Sequence, residues 1–338
     1  MEYVNIHEAK AYFVIFDTIK KLIKIKHIFL IVVCTLFSLN NAYSQGFSRP
    51  NDWKKIRKEL FVNIGISQFL GDLGGLNKTG TNYSPADLEF SLTRPALSIG
   101  YRYKILKNLN WNNSFNYLVV AGDDALTQDI YRHNRNLNFK SNIFEVATRI
   151  ELSYLSSKKG NRYGIKRTMG RRHKGRTWEF MGFIGVAGFY YNPKGRSSSG
   201  NYVALKPLHT EGQGLAGGPK QYSNYSISIP MGIAYRLIIQ KKYSIGLEIN
   251  YRKTFTDYID DVSTRYYDND ALKAAYGSQS AQLADPNLGL IYGATLPDGD
   301  GLAAQRGDVQ PDTYLSFQIT VGKFFAPKKG KSRLRSKF

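Results

Sequence analysis

Eight stretches of the chain, at residues 59–70, 94–105, 109–122, 138–154, 176–191, 222–239, 243–258 and 313–325, alternate apolar and polar side chains. In the clearest, Tyr243, Ile245, Leu247, Ile249, Tyr251 and Phe255 share one face of a strand, and Ser244, Gly246, Glu248, Asn250, Arg252 and Thr254 share the other. The same period points Leu97, Ile99, Tyr101 and Tyr103 outward in the second strand. In the sixth it points Tyr225, Ile227, Ile229, Met231, Ile233 and Tyr235 outward, and in the eighth Leu315, Phe317, Ile319 and Val321. The fifth strand is less regular, because Met181 and Phe183 occupy its polar face. Pro230 cannot donate to a ladder, so the sixth strand should carry a bulge or a local gap.

One such face suits lipid and the other a wet interior. Strands cross hydrocarbon only in a closed sheet, since an unpaired backbone group there is too costly. The expected fold is therefore all-β: a monomeric, eight-stranded antiparallel outer-membrane β-barrel with long external loops. With the N-terminus in the periplasm, long segments (71–93, 123–137, 192–221, 259–312) fall outside, and short turns at 106–108 and 240–242 fall on the periplasmic side.

Upstream of the strands, Lys20, Lys21, Lys24 and Lys26 precede the apolar run 28–39 and the small-residue site Ala42-Tyr43-Ser44. Residues 1–44 read as a signal peptide cleaved after Ser44, with 1–19 an extension upstream of a normal signal start. The run of about 12 residues is too short to span a ~30 Å hydrocarbon core as a helix. The expected organisation is a basic periplasmic segment (45–58), the barrel (59–325) and a basic periplasmic tail (326–338). Such a chain would reside in the outer membrane of a Gram-negative cell.

Cys34 falls inside the signal, so the mature chain would have no thiol, which excludes disulfides, thiolate-bound metals and a cysteine nucleophile. His133, His173 and His209 lie between strands, none at a catalytic spacing from a serine or carboxylate. Ser197, Ser198, Ser199 and His209 share one external loop, but the Ser/Gly richness there reads as a flexible linker rather than a hydrolase site. Gly212-Gln213-Gly214-Leu215-Ala216-Gly217 has the glycine spacing of a dinucleotide loop without the strand and helix that loop requires, so a tight turn is the better reading. The external aspartates Asp257, Asp260, Asp261, Asp268 and Asp270 could offer oxygen ligands to calcium, yet they fit no calcium-loop template, and turn or cap roles are commoner. No enzyme activity, cofactor, nucleic acid or small-molecule substrate is expected.

The charge is unevenly placed. The chain carries net +21, and removing the signal leaves +19. The connection 155–175 holds Lys158, Lys159, Arg162, Lys166, Arg167, Arg171, Arg172 and Lys174 with no acidic residue, and the tail adds Lys328, Lys329, Lys331 and Arg333. The segment 259–312 has nine aspartates against Arg265, Lys273 and Arg306. A basic periplasmic rim could dock an acidic protein surface or wall polymer; a solvated charge run that keeps the chain soluble in transit is the alternative. Along the inward faces, Arg102, Arg149, Arg236 and Arg252 meet Glu145, Glu151, Glu179 and Glu248. Eight strands enclose just enough room for side chains, so these should pair into a plug that blocks solute flow.

At the end of the seventh strand, Tyr251-Arg252-Lys253-Thr254-Phe255-Thr256-Asp257-Tyr258-Ile259-Asp260-Asp261-Val262-Ser263 resembles the signature of the PorG-like outer-membrane barrels associated with type IX secretion. Asn63-Ile64-Gly65, Arg94-Pro95-Ala96-Leu97, Phe189-Tyr190-Tyr191-Asn192-Pro193 and Ser228-Ile229-Pro230-Met231-Gly232 agree with it, and the likeness covers roughly 59–325. The resemblance implies a non-enzymatic component of a secretion and gliding apparatus that contacts periplasmic ring proteins. Phe255, Thr256, Asp257, Tyr258, Asp260 and Asp261 are its most recognisable residues, and they would order the long fourth loop over the barrel mouth. A small porin-like channel is the rival reading.

Overall fold

The computed structural model describes residues 53–54, 57–73, 90–127, 129–157, 177–239, 242–291 and 304–325. The signal, the connection 158–176 and the tail 326–338 lie outside the described residues. The strands are β1 (Lys58–Leu70), β2 (Arg94–Lys104), β3 (Leu109–Asp123), β4 (Asn138–Ser157), β5 (Thr177–Arg196), β6 (Tyr202–Ala204), β7 (Tyr225–Ile239), β8 (Tyr243–Thr254) and β9 (Thr313–Phe325). Three short helices, α1 (Ile130–Arg135), α2 (Asn269–Tyr276) and α3 (Ser278–Ala284), lie in the external segments.

The sheet order is β4-β3-β2-β1-β9-β8-β7-β5, and β4 pairs with β5 to close it. Every pairing is antiparallel, including β1 with β9, where Lys58 faces Phe325 and Leu70 faces Thr313. Eight strands therefore form a closed barrel, and β6 is a three-residue addition to the outer end of β5. The sequence-expected strands all form. Four ends differ by three residues or more: β4 runs on to Ser157 rather than Tyr154, β5 runs on to Arg196 rather than Tyr191, β7 starts at Tyr225 rather than Tyr222, and β8 stops at Thr254 rather than Tyr258. Pro230 produces a gap, not a bulge. The register between β5 and β7 is unbroken, but Gly185 and Val186, which pair with Arg149 and Thr148 of β4, have no partner on β7 between Ile184↔Met231 and Ala187↔Ser228.

Side-chain alternation decides inside from outside. Along β8, Ile245, Leu247 and Ile249 are exposed while Ser244, Gly246, Glu248, Asn250 and Arg252 are buried. Leu315 departs from its expected outward exposure: it is only 4% exposed, at the external end of β9 where the strand passes under the loops. The outward faces form a continuous apolar band that no other element of the described chain covers. Aromatic rings bound the band at two levels. Phe144 and Tyr154 on β4, Tyr190 and Phe180 on β5, and Tyr225 and Tyr235 on β7 are each ten residues apart along their strands. Ten residues at ~3.4 Å, tilted by about 40°, give a height of ~26 Å, the thickness of an outer-membrane apolar band. Neighbouring girdle rings touch, Tyr190 with Tyr225 at 5.1 Å and Trp178 with Tyr235 at 5.3 Å. No helix among the described residues is long and apolar enough to cross a membrane; the strands do the crossing.

Leu247 lies in the middle of the band, 60% exposed and opposite Ile319. Leu247→Arg would be nearly neutral on a water-facing surface. In lipid it should cost ~2–4 kcal/mol, measured as loss of stability in denaturant unfolding from vesicles; a neutral result would contradict lipid contact at that position.

Candidate functional site

Inward positions bring five carboxylates and five cations together, all buried: Glu59, Glu145, Glu151, Glu179 and Glu248 with Arg102, Lys104, Arg149, Arg236 and Arg252. Eight of them form one chain. Lys104 Nζ lies 2.9 Å from Glu179, which also accepts from Arg236 Nε at 2.5 Å. Arg236 reaches Glu59, which accepts from Arg102 Nη1 at 2.9 Å and from Ser244. Arg102 Nε donates to Glu151 at 2.5 Å, Arg149 lies 3.4 Å from Glu151, and Arg149 then grips Glu248 with two bonds of 2.6 and 2.7 Å. The remaining pair sits separately: Arg252 Nε donates to both oxygens of Glu145, which also accepts from Tyr314 Oη and Asn116 Nδ2, each at 2.7 Å.

The packing around this chain explains the residues that break the alternation. Each arginine stacks on an inward ring: Arg102 on Phe61 (4.6 Å), Arg149 on Phe183 (4.3 Å), Arg252 on Tyr314 (5.3 Å) and Arg236 on Phe324 (5.7 Å). Phe183 is thus a platform for a guanidinium, and Met181 packs beside it with Ala234. Glycines face the bulk: a Cβ would collide with Phe61 at Gly100, with Arg149 at Gly185, with Arg236 at Gly246 and with Glu59 at Gly322. Large and small residues interlock, as a narrow barrel requires.

The external half is filled differently. Phe69, Leu118, Val120, Ile143, Phe189, Tyr191 and Tyr314 make an apolar core that continues upward into Leu137, Leu205, Tyr222, Ile259, Val262 and Leu283 from the loops. Two arginines lock the loops over it. Arg135, at the end of α1, donates to Asp124 at 2.7 Å and to the carbonyls of Asp72 and Arg306, each also at 2.7 Å. Arg306 pairs with Glu211 at 3.1 Å and donates to the Asp261 carbonyl at 2.7 Å, while Glu211 accepts from Ser263 N at 2.8 Å and Thr264 Oγ1 at 2.9 Å. Asp261 takes a left-handed conformation, φ 68°, and accepts from Thr210 Oγ1 and Tyr222 Oη at 2.5 Å each. The Tyr222 ring stacks on Tyr258 at 4.5 Å.

The sequence-expected residues distribute as follows. All eight interior charges pair inside the barrel; patterning alone misses Glu59 and Lys104, although they share the inward parity of Phe61 and Arg102. Of the motif, Asp260 and Asp261 are buried at the centre of the cap, Tyr258 stacks there, Thr256 Oγ1 lies 3.1 Å from Tyr191 Oη, and Phe255 stays exposed. Asp268 is the N-cap of α2, and Asp260 caps the Val262 amide at 3.0 Å, so these aspartates serve turns and caps. Among the described residues no group of three or more His, Cys, Asp or Glu side chains is arranged to hold a metal ion. The glycines of 212–217 do make a tight loop, with positive φ at Gly212, Gly214 and Gly217. The serine-rich loop is the hairpin turn between β5 and β6, with Ser197 N bonded to the Asn201 carbonyl. His209 stacks on Tyr276 at 4.3 Å. The docking cations Lys158, Lys159, Arg162, Lys166, Arg167, Arg171, Arg172, Lys174, Lys328, Lys329, Lys331 and Arg333 lie outside the described residues.

The mouth concentrates unusual acids. Burial pushes Asp257 up to about 8, with Asp72, Glu211 and Asp308 adding and a Ser263 hydrogen bond opposing. Burial lifts Asp260 and Asp312 well above the usual carboxylate range, with Asp312 and Asp72 adding at Asp260 and Asp257 and Asp72 adding at Asp312, and burial raises Asp261 to about 6 against the pull of Arg306.

Two outcomes are expected. Glu59 serves two guanidiniums, so Glu59→Ala should cost ~3–5 kcal/mol in equilibrium unfolding, whereas Lys220→Gln on an external loop should change little. The raised acids make the folded cap hold protons that the unfolded chain has lost. Their contribution is complete below about pH 4 and fades as pH rises toward the pKa of Asp257. Hydrogen-exchange protection at residues 257–263 should therefore be higher at pH 5 than at pH 8.5, and replacing Asp257 and Asp312 by asparagine should flatten the difference.

No family model matches the chain, and no curated protein does. Among solved structures it is similar to the attachment invasion locus protein Ail of Yersinia pestis in complex with sucrose octasulfate, at 9% identity and TM-score 0.31, covering 79% of this chain and 98% of that one. It is also similar to Neisserial surface protein A, at 5% identity and TM-score 0.30, covering 79% and 97%. A major outer membrane protein of Thermus thermophilus is similar at 10% identity and TM-score 0.31, covering 79% and 99%.

Proposed function

We propose that this protein is a non-enzymatic, non-conducting outer-membrane barrel that anchors a protein-secretion assembly, of the type IX class its loop signature resembles, and docks periplasmic partners through its basic rim. The observation that carries the reading is the filled bore. An ionic chain occupies the periplasmic half and an apolar core the external half, so the barrel offers rigidity and anchorage rather than a path. The signature residues Asp260 and Asp261 fix the loop that seals the mouth.

Charge supports the docking side. Among the described residues, every carboxylate is either inside the barrel or at its external end; none is exposed on the periplasmic rim. An approaching acidic surface would meet no repulsion from the described residues there.

Purified protein in planar bilayers should show no steady conductance; sustained ion flux would favour the small-channel reading instead. Replacing Lys166, Arg167, Arg171 and Arg172 by glutamine should lower the recovery of crosslinked periplasmic partners from native envelopes, with a loss that grows with salt. Undiminished recovery would remove the docking role and leave the barrel itself intact.

A further inference from the structure

At the periplasmic end, the described cations of the outward face lie on one side. Lys58 on β1 is exposed and pairs in register with Tyr103 of β2 and Phe325 of β9. One step up, Lys323 of β9 is exposed, and pairs with Leu60 of β1 and Tyr243 of β8. Lys242 precedes Tyr243, and Lys54 and Arg57 precede β1. Arg57 is held in place: its guanidinium lies 5.5 Å from the Trp53 ring and 5.1 Å from the Tyr103 ring, and its Nε donates to the Lys104 carbonyl at 3.2 Å. Lys54 Nζ lies 5.9 Å from the same Trp53 ring.

The other half of the circumference is different. At the same level β3, β4, β5 and β7 present Trp111, Tyr154, Phe180, Trp178 and Tyr235, and no described cation. Lysines that merely reach from apolar surface to water would be spread around a barrel. Here the described ones gather on the adjacent strands β1 and β9 and on the segments that lead into β1 and β8, directly below the lipid-facing rows of Leu60, Val62, Ile319 and Val321. That height is the phosphate level of the periplasmic leaflet, marked by Tyr243 and Tyr103.

We propose that this face is a binding site for an anionic phospholipid. Lys58, Lys323 and Arg57 take the head-group phosphate, and Lys54 and Lys242 add to the field. Trp53, Tyr103 and Tyr243 flank the glycerol region, and the aliphatic rows above receive the acyl chains. An acidic protein is a poorer match, because Lys58 and Lys323 sit at the edge of the hydrocarbon band, where a lipid phosphate is the nearest anion. Lys54, Arg57 and Lys58 belong to the basic N-terminal segment that joins the connection and tail in the basic rim, and the site uses no residue of the connection or the tail.

The full-length mature protein, extracted from equimolar phosphatidylglycerol and phosphatidylcholine vesicles, would be examined by native mass spectrometry for retained lipid. Wild type should retain phosphatidylglycerol in preference. Each neutralised lysine should reduce the preference roughly five-fold, the equivalent of ~1 kcal/mol for a basic residue at a membrane surface. Lys58→Gln with Lys323→Gln should bring retention close to parity, and Lys220→Gln should leave it as in wild type. Equal retention of the two lipids by wild type, or a preference that survives the double replacement in protein still folded by its heat-shifted gel mobility, would overturn the proposal. A failure of the periplasmic docking experiment would leave this result untouched.

Discussion

Hydrocarbon supplies no hydrogen-bond partner, so a strand that enters it must find a neighbour on both edges. Closing β1 on β9 and β4 on β5 meets that requirement with eight strands, and the number then sets everything within. An eight-stranded barrel has a bore that side chains fill. Whatever points inward is buried, and whatever is charged there must be paired. The ionic chain from Lys104 to Glu248 is thus a consequence of closure, reached with balanced numbers of carboxylates and cations. It also fills the bore with groups that pair chiefly with one another.

Two kinds of filling meet within one barrel. β3 shows the change along a single strand, with Asn110, Asn112, Ser114 and Asn116 inward in its lower part and Leu118 and Val120 above them. β4 repeats it, from Glu151 and Arg149 to Ile143 and Phe139. The apolar upper core has no floor of its own, and rests on the ion pairs below it. Its roof is the loop cap, where Arg135 and Arg306 each bind carbonyls from distant segments. Arg–carboxylate forks fix geometry as well as charge, so the cap is a defined structure rather than a loose covering.

The strands are legible in the sequence because a half-lipid, half-buried strand must alternate, and a period of two survives even where single positions fail. The exceptions have tertiary causes. Leu315 looks like any outward leucine, but the external loops cover the end of β9. Phe183 looks misplaced until Arg149 is seen lying on its ring. Glu59 is legible by parity, yet it stands at the start of its strand, where the alternation has barely begun. The cap is illegible for a different reason: Glu211 and Arg306 are 95 residues apart, and Asp261 finds Tyr222 across 39. No local period encodes such contacts, and α1, α2 and α3 are too short to announce themselves.

Charge placement follows from the same geometry and sets the two ends of the molecule apart. Inside the barrel, carboxylates are neutralised by cations at hydrogen-bond distance, and contribute little field beyond it. At the mouth, half-buried Asp257 and buried Asp260 and Asp312 lie among other acids, and burial and that crowding raise their pKa values above the usual carboxylate range. On the periplasmic rim the described cations meet no exposed carboxylate. Among the described residues the two ends of the barrel therefore handle charge differently: acids pack against one another at the loop end, and cations stand without exposed carboxylates at the other.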